Sequence, residues 1–172
     1  MSGKARLTYS IYEGLLTGTA NNKPVHIFAL SGGGGGSTSH RLGAIDPSLV
    51  NNPDATGVKT TDNKTGHHHG GPIPLGSYTV SAPFLHSTKD GKHSFQCVRL
   101  TPDKDNHMMG RDGFLIHGTG KHGSDGCIVP TNAAAFHGLM SALSHDGGGR
   151  LIVISRIGDD TVTMTGSDRL WA

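Results

Sequence analysis

DGFLIHGTGKHGSDGCIVP, residues 112–130, decides how the rest of the chain is read. Phe114, Leu115 and Ile116 form a short apolar run, the pattern of a strand buried on both faces. That strand delivers His117 to its end. Ten residues on, Cys127 precedes a second apolar pair, Ile128 and Val129, so two strand ends can hold an imidazole and a thiol side by side. A free thiol with a pKa near ~8.5 is only partly ionised at neutral pH, and a neighbouring imidazole lowers that pKa or accepts the proton during attack. His117 is therefore the candidate base and Cys127 the candidate nucleophile. Gly126 lets the backbone turn tightly, so the amides of Gly126 and Cys127 can face the oxygen of a tetrahedral intermediate. Ser124 is placed to orient either the loop or the imidazole by hydrogen bonding, and Asp125 reads first as a turn former. The plain alternative is that Cys127 is a small buried apolar residue, and spacing alone leaves both open.

Outward from this stretch the chain is rich in strands. LTYSIYEGLL (7–16) and PVHIFALS (24–31) read as an N-terminal hairpin, and GGPIPLGSYTV (70–80) as a Pro/Gly turn entering a strand at Tyr78. HSFQCVRLTP (93–102) alternates, with Gln96, Val98 and Leu100 on one face and Phe95, Cys97 and Arg99 on the other. One helix is expected after Pro130: Thr131 or Asn132 caps it, Phe136, Leu139, Met140 and Leu143 make its apolar stripe, and Gly147 to Gly149 end it. LIVISRIG (151–158) and TVTMTG (161–166) suggest a closing hairpin. Between 31 and 71 the Gly, Asn, Thr and His content shows almost no periodicity, and the expectation there is a long flexible loop forming a mobile rim.

Composition narrows the function classes. A chain of 172 residues with 27 glycines and 34% hydrophobic residues fits one loop-rich, mainly β domain with a single principal helix. The formal charge of +2 is scattered and lacks the clustered basic face of a nucleic-acid binder, although a mildly anionic polymer would not be repelled. MSGKARLTYSIYEGLL holds no apolar stretch of signal-peptide length and no segment approaches a membrane span, so a product made in the cytoplasm is expected. Two cysteines, Cys97 and Cys127, leave room for one bridge at most. Most of the 12 histidines, including the run His67, His68 and His69, read as solvated loop residues.

The pattern H-x6-S-x-G-C, carried by His117, Ser124, Gly126 and Cys127, resembles the signature of the type VI secretion L,D-transpeptidase effectors, a branch of the L,D-transpeptidases. GPIPLGSYTV is similar to the P-x-G-x-Y/F strand entry of those enzymes, NNP (51–53) resembles an effector-branch element, and Arg111 stands before the histidine strand as in the family. Asp125 departs from the second histidine of the broader family's S/T-H-G-C motif, and the Gly36–Gly70 segment is longer and richer in histidine than the family pattern. The resemblance implies an L,D-transpeptidase-like β-sandwich or barrel, and as substrate the peptidoglycan stem tetrapeptide. In that reaction the thiolate attacks the carbonyl of the diamino acid, D-Ala leaves, and an acyl-enzyme passes to water or to a D-amino acid. No metal or cofactor is required. Arg111 would meet a stem carboxylate through its planar fork. Lys121, His122, Asp125 and Tyr78 are further candidates for the substrate cleft, Tyr78 reading otherwise as core or rim. The resemblance also implies export by type VI secretion components into a neighbour's periplasm and a cognate immunity protein as partner.

Three rivals use the same residues differently. A papain-like cysteine hydrolase or amidase would take His137 or His145 as base. A zinc hydrolase would use His67, His69, His117 and an aspartate, although no H-E-x-x-H occurs. A non-enzymatic wall-binding module would bridge Cys97 to Cys127.

Overall fold

The computed structural model describes residues 3–34, 45–59, 61–63, 66–68, 70–87, 91, 94–118 and 124–158, without the side chains of 61–63 and 66–68. The chain opens as a meander of three strands, β1 (Ala5–Ser10), β2 (Leu15–Ala20) and β3 (Lys23–Ser31), not as the expected two. The stretch 7–16 is broken by a turn in which the Gly14 amide donates to the Ile11 carbonyl at 3.1 Å, Gly14 taking φ 62°. Asn21 and Asn22, both at positive φ, then close β2 onto β3 with the handedness a two-residue hairpin favours.

The stretch expected to be a flexible loop is partly built. Asn52 caps a short 3-10 turn at Pro53–Ala55, and β4 (Thr61–Asn63) pairs with β5 (Gly66–His68). Asn51 ties this segment to the meander: its side-chain oxygen accepts from Tyr9 Oη at 2.7 Å and from the Ser31 amide at 2.9 Å. These bonds span more than any local pattern, which is why sequence periodicity did not show them. The residues 35–44 within that stretch lie outside the described residues.

The rest is β6 (Gly76–Val80), β7 (Phe84–Ser87), β8 (Ser94–Pro102), β9 (Leu115–His117), β10 (Ile128–Pro130), α1 (Ala133–Asp146) and β11 (Gly149–Ile154). The order β6-β11-β1-β2-β3-β10-β9-β8, closed by a β6–β8 pairing, makes a barrel-like sheet of eight strands with β7 added beside β8. β11 runs parallel to β1 and antiparallel to β6, pairing across the molecule; the second strand of the expected closing hairpin, 161–166, lies outside the described residues. Mainly β with one principal helix is the observed architecture.

The core is shared by barrel and helix. Leu7, Tyr9, Leu16, Tyr78, Ile116, Ile128, Leu151 and Val153 are buried, and α1 adds Phe136, Leu139, Met140 and Leu143. Asn132 Oδ1 accepts the Ala135 amide at 2.9 Å, and Gly147 ends the helix at φ 68° in the left-handed region, as the sequence signals require. No helix of the described residues is long and apolar enough to cross a membrane.

Candidate active site

Strand register decides where the candidate residues point. Ile116 of β9 is aligned with Ile128 of the parallel β10, and both belong to the core. Side chains alternate along strands, so His117 and Cys127, each one residue away, project from the opposite, outer face. His117 ends β9 and Cys127 stands just before β10, on either side of the aligned Ile116–Ile128 pair. Cys97 of β8 is aligned directly with His117 and shares that face.

His117 is half-buried, and its Nδ1 lies 2.9 Å from the Gly118 carbonyl. A carbonyl only accepts, so Nδ1 carries the proton and Nε2 is left as the basic nitrogen. Burial lowers the pKa of the ring below its ordinary 6.5, with the Gly118 bond opposing, so the imidazole is neutral at neutral pH. The Gly118 carbonyl alone thus fixes the tautomer of the ring.

Cys127 sits just before β10 with its Sγ accepting the Leu115 amide at 3.3 Å. Burial pushes the thiol up to about 11; the Leu115 amide opposes this, while the Asp125 carboxylate adds to it. The resting group is a neutral thiol. Of the two actions the sequence leaves open to the imidazole, lowering this pKa or taking the proton during attack, the first is not seen: burial dominates, and Sγ accepts a backbone amide.

The loop before Cys127 is held by Ser124. Its Oγ donates to the Cys127 carbonyl at 2.5 Å and accepts the amides of Gly32 at 3.2 Å and Gly126 at 3.3 Å. Ser124 orients the loop, and the imidazole is oriented by Gly118. The Gly126 amide donates to that hydroxyl, so of the two amides expected from the sequence to face an oxyanion only that of Cys127 is not engaged by Ser124. Gly126 has φ 131°, and a Cβ there would stand 2.5 Å from Phe114 Cε1 and 2.7 Å from Arg111 Nη2. Glycine is required on both counts.

Arg111 is buried, and all four terminal N–H groups are directed to backbone carbonyls. Nη1 donates to Thr56 at 2.5 Å and Pro72 at 2.6 Å, and Nη2 to Gly71 at 2.8 Å and Asp125 at 2.9 Å. Its guanidinium carbon lies 5.2 Å from the centroid of the Phe114 ring. The fork expected for a substrate carboxylate thus clamps three loops around Cys127. Asp125 accepts the Gly70 amide through Oδ1 at 3.2 Å, a turn-building role beside the thiol. Tyr78 is fully buried, donating to the Pro74 carbonyl at 2.6 Å, which places it in the core and corrects its inclusion in the cleft. Lys121 and His122 lie outside the described residues.

Two openings flank the pair. Cys127 borders a cavity of about 260 Å³ with Lys59, Gly110, Arg111, Asp112 and Asp125 on its wall. His117 borders a larger cleft of about 530 Å³ walled by Phe95, Gln96, Ala133, Phe136 and His137. Lys59 was missed by sequence reasoning, since a lone lysine in an aperiodic segment carries no signal.

The rivals fare unevenly. Cys127 precedes a strand, not the helix a papain-like enzyme needs; His145 is bonded to Asp146 at the far end of α1, and His137 faces the cleft on the imidazole side. Among the described residues no three His, Cys, Asp or Glu side chains gather to hold a metal; the side chains of His67 and His69 lie outside them. Cys97 and Cys127 are both free, and β9 lies between their strands, so two inter-strand spacings, about 9–10 Å, exceed the Cα range of a disulfide.

An L,D-transpeptidase from Xylanimonas cellulosilytica is similar in structure at 17% identity and TM-score 0.49, covering 90% of this chain and 62% of that one. An L,D-transpeptidase from Mycobacterium smegmatis matches at 12% identity and TM-score 0.44, over 90% and 60%. L,D-transpeptidase 3 from Mycobacterium tuberculosis, with a faropenem-derived adduct, matches at 15% identity and TM-score 0.37, over 87% and 59%. The chain thus spans about three fifths of the length of these solved proteins. No curated protein resembles it closely enough in sequence to match. The Tlde1 domain profile matches residues 48–154, which include the Arg111 clamp, His117 and Cys127, and the chain belongs to that family of type VI L,D-transpeptidase effectors.

Proposed function

We propose that this protein is a cysteine enzyme of the bacterial cell wall that removes the terminal D-Ala from peptidoglycan stem tetrapeptides and exchanges it for other D-amino acids. The observation that carries this is the shared outer face of β9 and β10, where a neutral imidazole with a fixed tautomer and a protonated thiol stand diagonally between two openings. Because the resting thiol is neutral, its proton moves to His117 Nε2 as Sγ bonds to the carbonyl carbon of the diamino acid. The oxyanion so formed faces the Cys127 amide. On collapse the C–N bond breaks, Nε2 returns the proton to the departing amine of D-Ala, and a thioester remains. Water, or the amine of a D-amino acid, then gives a proton to Nε2, attacks the thioester carbon and releases Cys127 as a thiol.

Export by type VI secretion components, action in a target cell's periplasm and a cognate immunity protein belong to the same proposal; family membership supports them. The test is incubation with purified muropeptides. Tetrapeptides should become tripeptides, D-Met should be incorporated when added, EDTA should leave both activities intact and iodoacetamide should abolish them. Activity lost with EDTA, or unchanged in Cys127→Ala, would overturn the assignment.

A further inference from the structure

We propose that the Lys59 ammonium is the carboxylate receptor of the thiol-side cavity, and that it reads the free α-carboxylate of the residue that leaves. This rests on Cys127 being the nucleophile and extends that proposal to substrate selection. Two cations border the cavity. Arg111 has its four terminal N–H groups on carbonyls and is 8% exposed, so it has no fork to offer. Lys59 is exposed on the cavity wall and, among the described residues, has no hydrogen bond or ion pair. Of the two carboxylates there, Asp125 receives the Gly70 amide and Asp112 is exposed on the rim.

The ammonium is placed by the fold, unlike that of an ordinary surface lysine. The Thr56 carbonyl is held by Arg111, the Val58 carbonyl accepts the Gly71 amide at 3.0 Å, and the Val58 amide donates to Ala55 at 3.0 Å. Lys59 therefore leaves a pinned segment. Its Nζ lies over Gly110, whose φ is 71° and where a Cβ would stand 2.7 Å from Nζ; the missing side chain leaves the ammonium its seat. In an amide broken by Cys127, the carboxylate of a terminal leaving residue lies only one residue beyond the attacked carbonyl, within the span of one small cavity. A free carboxylate there would be matched by Lys59, and an amide or a further residue would not. The chain would thus act as an exopeptidase by charge recognition.

The test compares kcat/KM for three tetrapeptides: the free acid, the form amidated on the terminal carboxylate, and the form amidated on the side-chain carboxylate of the diamino acid. Wild-type protein should prefer the free acid over the terminal amide by about ten- to hundredfold, the range of a charge-assisted hydrogen bond. Lys59→Met should lose that factor on the free acid, mainly through KM, and treat acid and terminal amide alike; Lys59→Arg should restore most of it. Side-chain amidation should cost both proteins the same. Retention of the acid preference in Lys59→Met overturns the inference, as does a preference that Lys59→Met loses only for the side-chain carboxylate. If wild-type protein cleaves no tetrapeptide, the proposed function fails separately; calorimetric binding of the acid and terminal amide to Cys127→Ala, with and without Lys59→Met, then decides the carboxylate question.

Discussion

The two openings beside the Cys127–His117 pair differ in kind. On the thiol side the wall is charged and closely tied, with Lys59, Arg111, Asp112 and Asp125 around about 260 Å³. On the imidazole side it is larger and mostly apolar, with Phe95, Ala133 and Phe136 around about 530 Å³. Phe95 continues outward as a ring ladder, stacked on His86 at 5.3 Å and edge-on to His117 at 5.7 Å. Such a division suits a substrate whose charged terminus lies on one side and whose less polar groups, an acceptor's side chain included, lie on the other. It also shows that one strand pair can serve two environments, because the pair divides the face and each half is walled by different loops.

The largest break comes from removing the chemistry common to both sides. Cys127→Ala and His117→Ala should each lower turnover of muropeptides by more than about 10³-fold. Circular dichroism should remain native in both, since neither residue belongs to the core cluster. Only loss of fold in these variants would leave the division between the sides uninformative, and His137→Ala should by contrast retain most activity.

The thiol-side wall alone should fail when its clamp is removed. Arg111→Met leaves four carbonyls without their donors, those of Gly71 and Pro72 buried, a loss of about 3 kcal/mol or more by the cost of unsatisfied buried groups. Denaturant unfolding measures the loss, and hydrogen exchange should rise first at Val58 and Gly71 while α1 stays protected. Uniform loss of protection would mean that the two walls are one cooperative unit.

The pH dependence sharpens the electrostatic half of the comparison. Alkylation of Cys127 by iodoacetamide should be slow at pH 7 and rise tenfold per unit toward about 11, because burial holds the proton on sulfur. Asp125→Asn should move that rise to lower pH, since the carboxylate adds to the upward shift. The linkage has a definite sign. With the folded thiol raised from 9.0 to about 11, the folded state keeps a proton that the unfolded chain loses, so this contribution to stability is present below pH 9 and lost between 9 and about 11. His117 works oppositely: its lowered pKa makes its contribution full above 6.5 and lost as pH falls through the depressed value.

The smallest effect is expected on the apolar side. Phe95→Ala should reduce D-Met exchange by about three- to tenfold relative to hydrolysis, the scale of one partly exposed aromatic contact. An equal loss in both would mean that Phe95 supports His117 and does not receive the acceptor.

Local pattern reached far into this molecule where the structure itself is local. The stripe Phe136, Leu139, Met140 and Leu143, with Asn132 before it and Gly147 after it, predicts α1 within a residue at each end, because caps and periodicity act over a few positions. The apolar run ending at His117 and the glycine before Cys127 likewise name the candidate pair and the special backbone it needs. Less of the meander was legible, since the turn at Gly14 interrupts a stretch whose composition is uniformly β-prone.

What the sequence by itself determined is thus the chemistry on offer and the elements that carry it: a thiol, an imidazole, a mainly β chain and one helix. Tertiary structure alone decided their surroundings. It joined Asn51 to Tyr9 across the meander, turned Arg111 from a carboxylate fork into a four-carbonyl clamp, buried Tyr78, raised the thiol's proton affinity and placed Lys59 beside it. The reason is physical: period and propensity report which way a side chain faces within its own element, whereas desolvation and hydrogen-bond partners depend on which distant segments meet there.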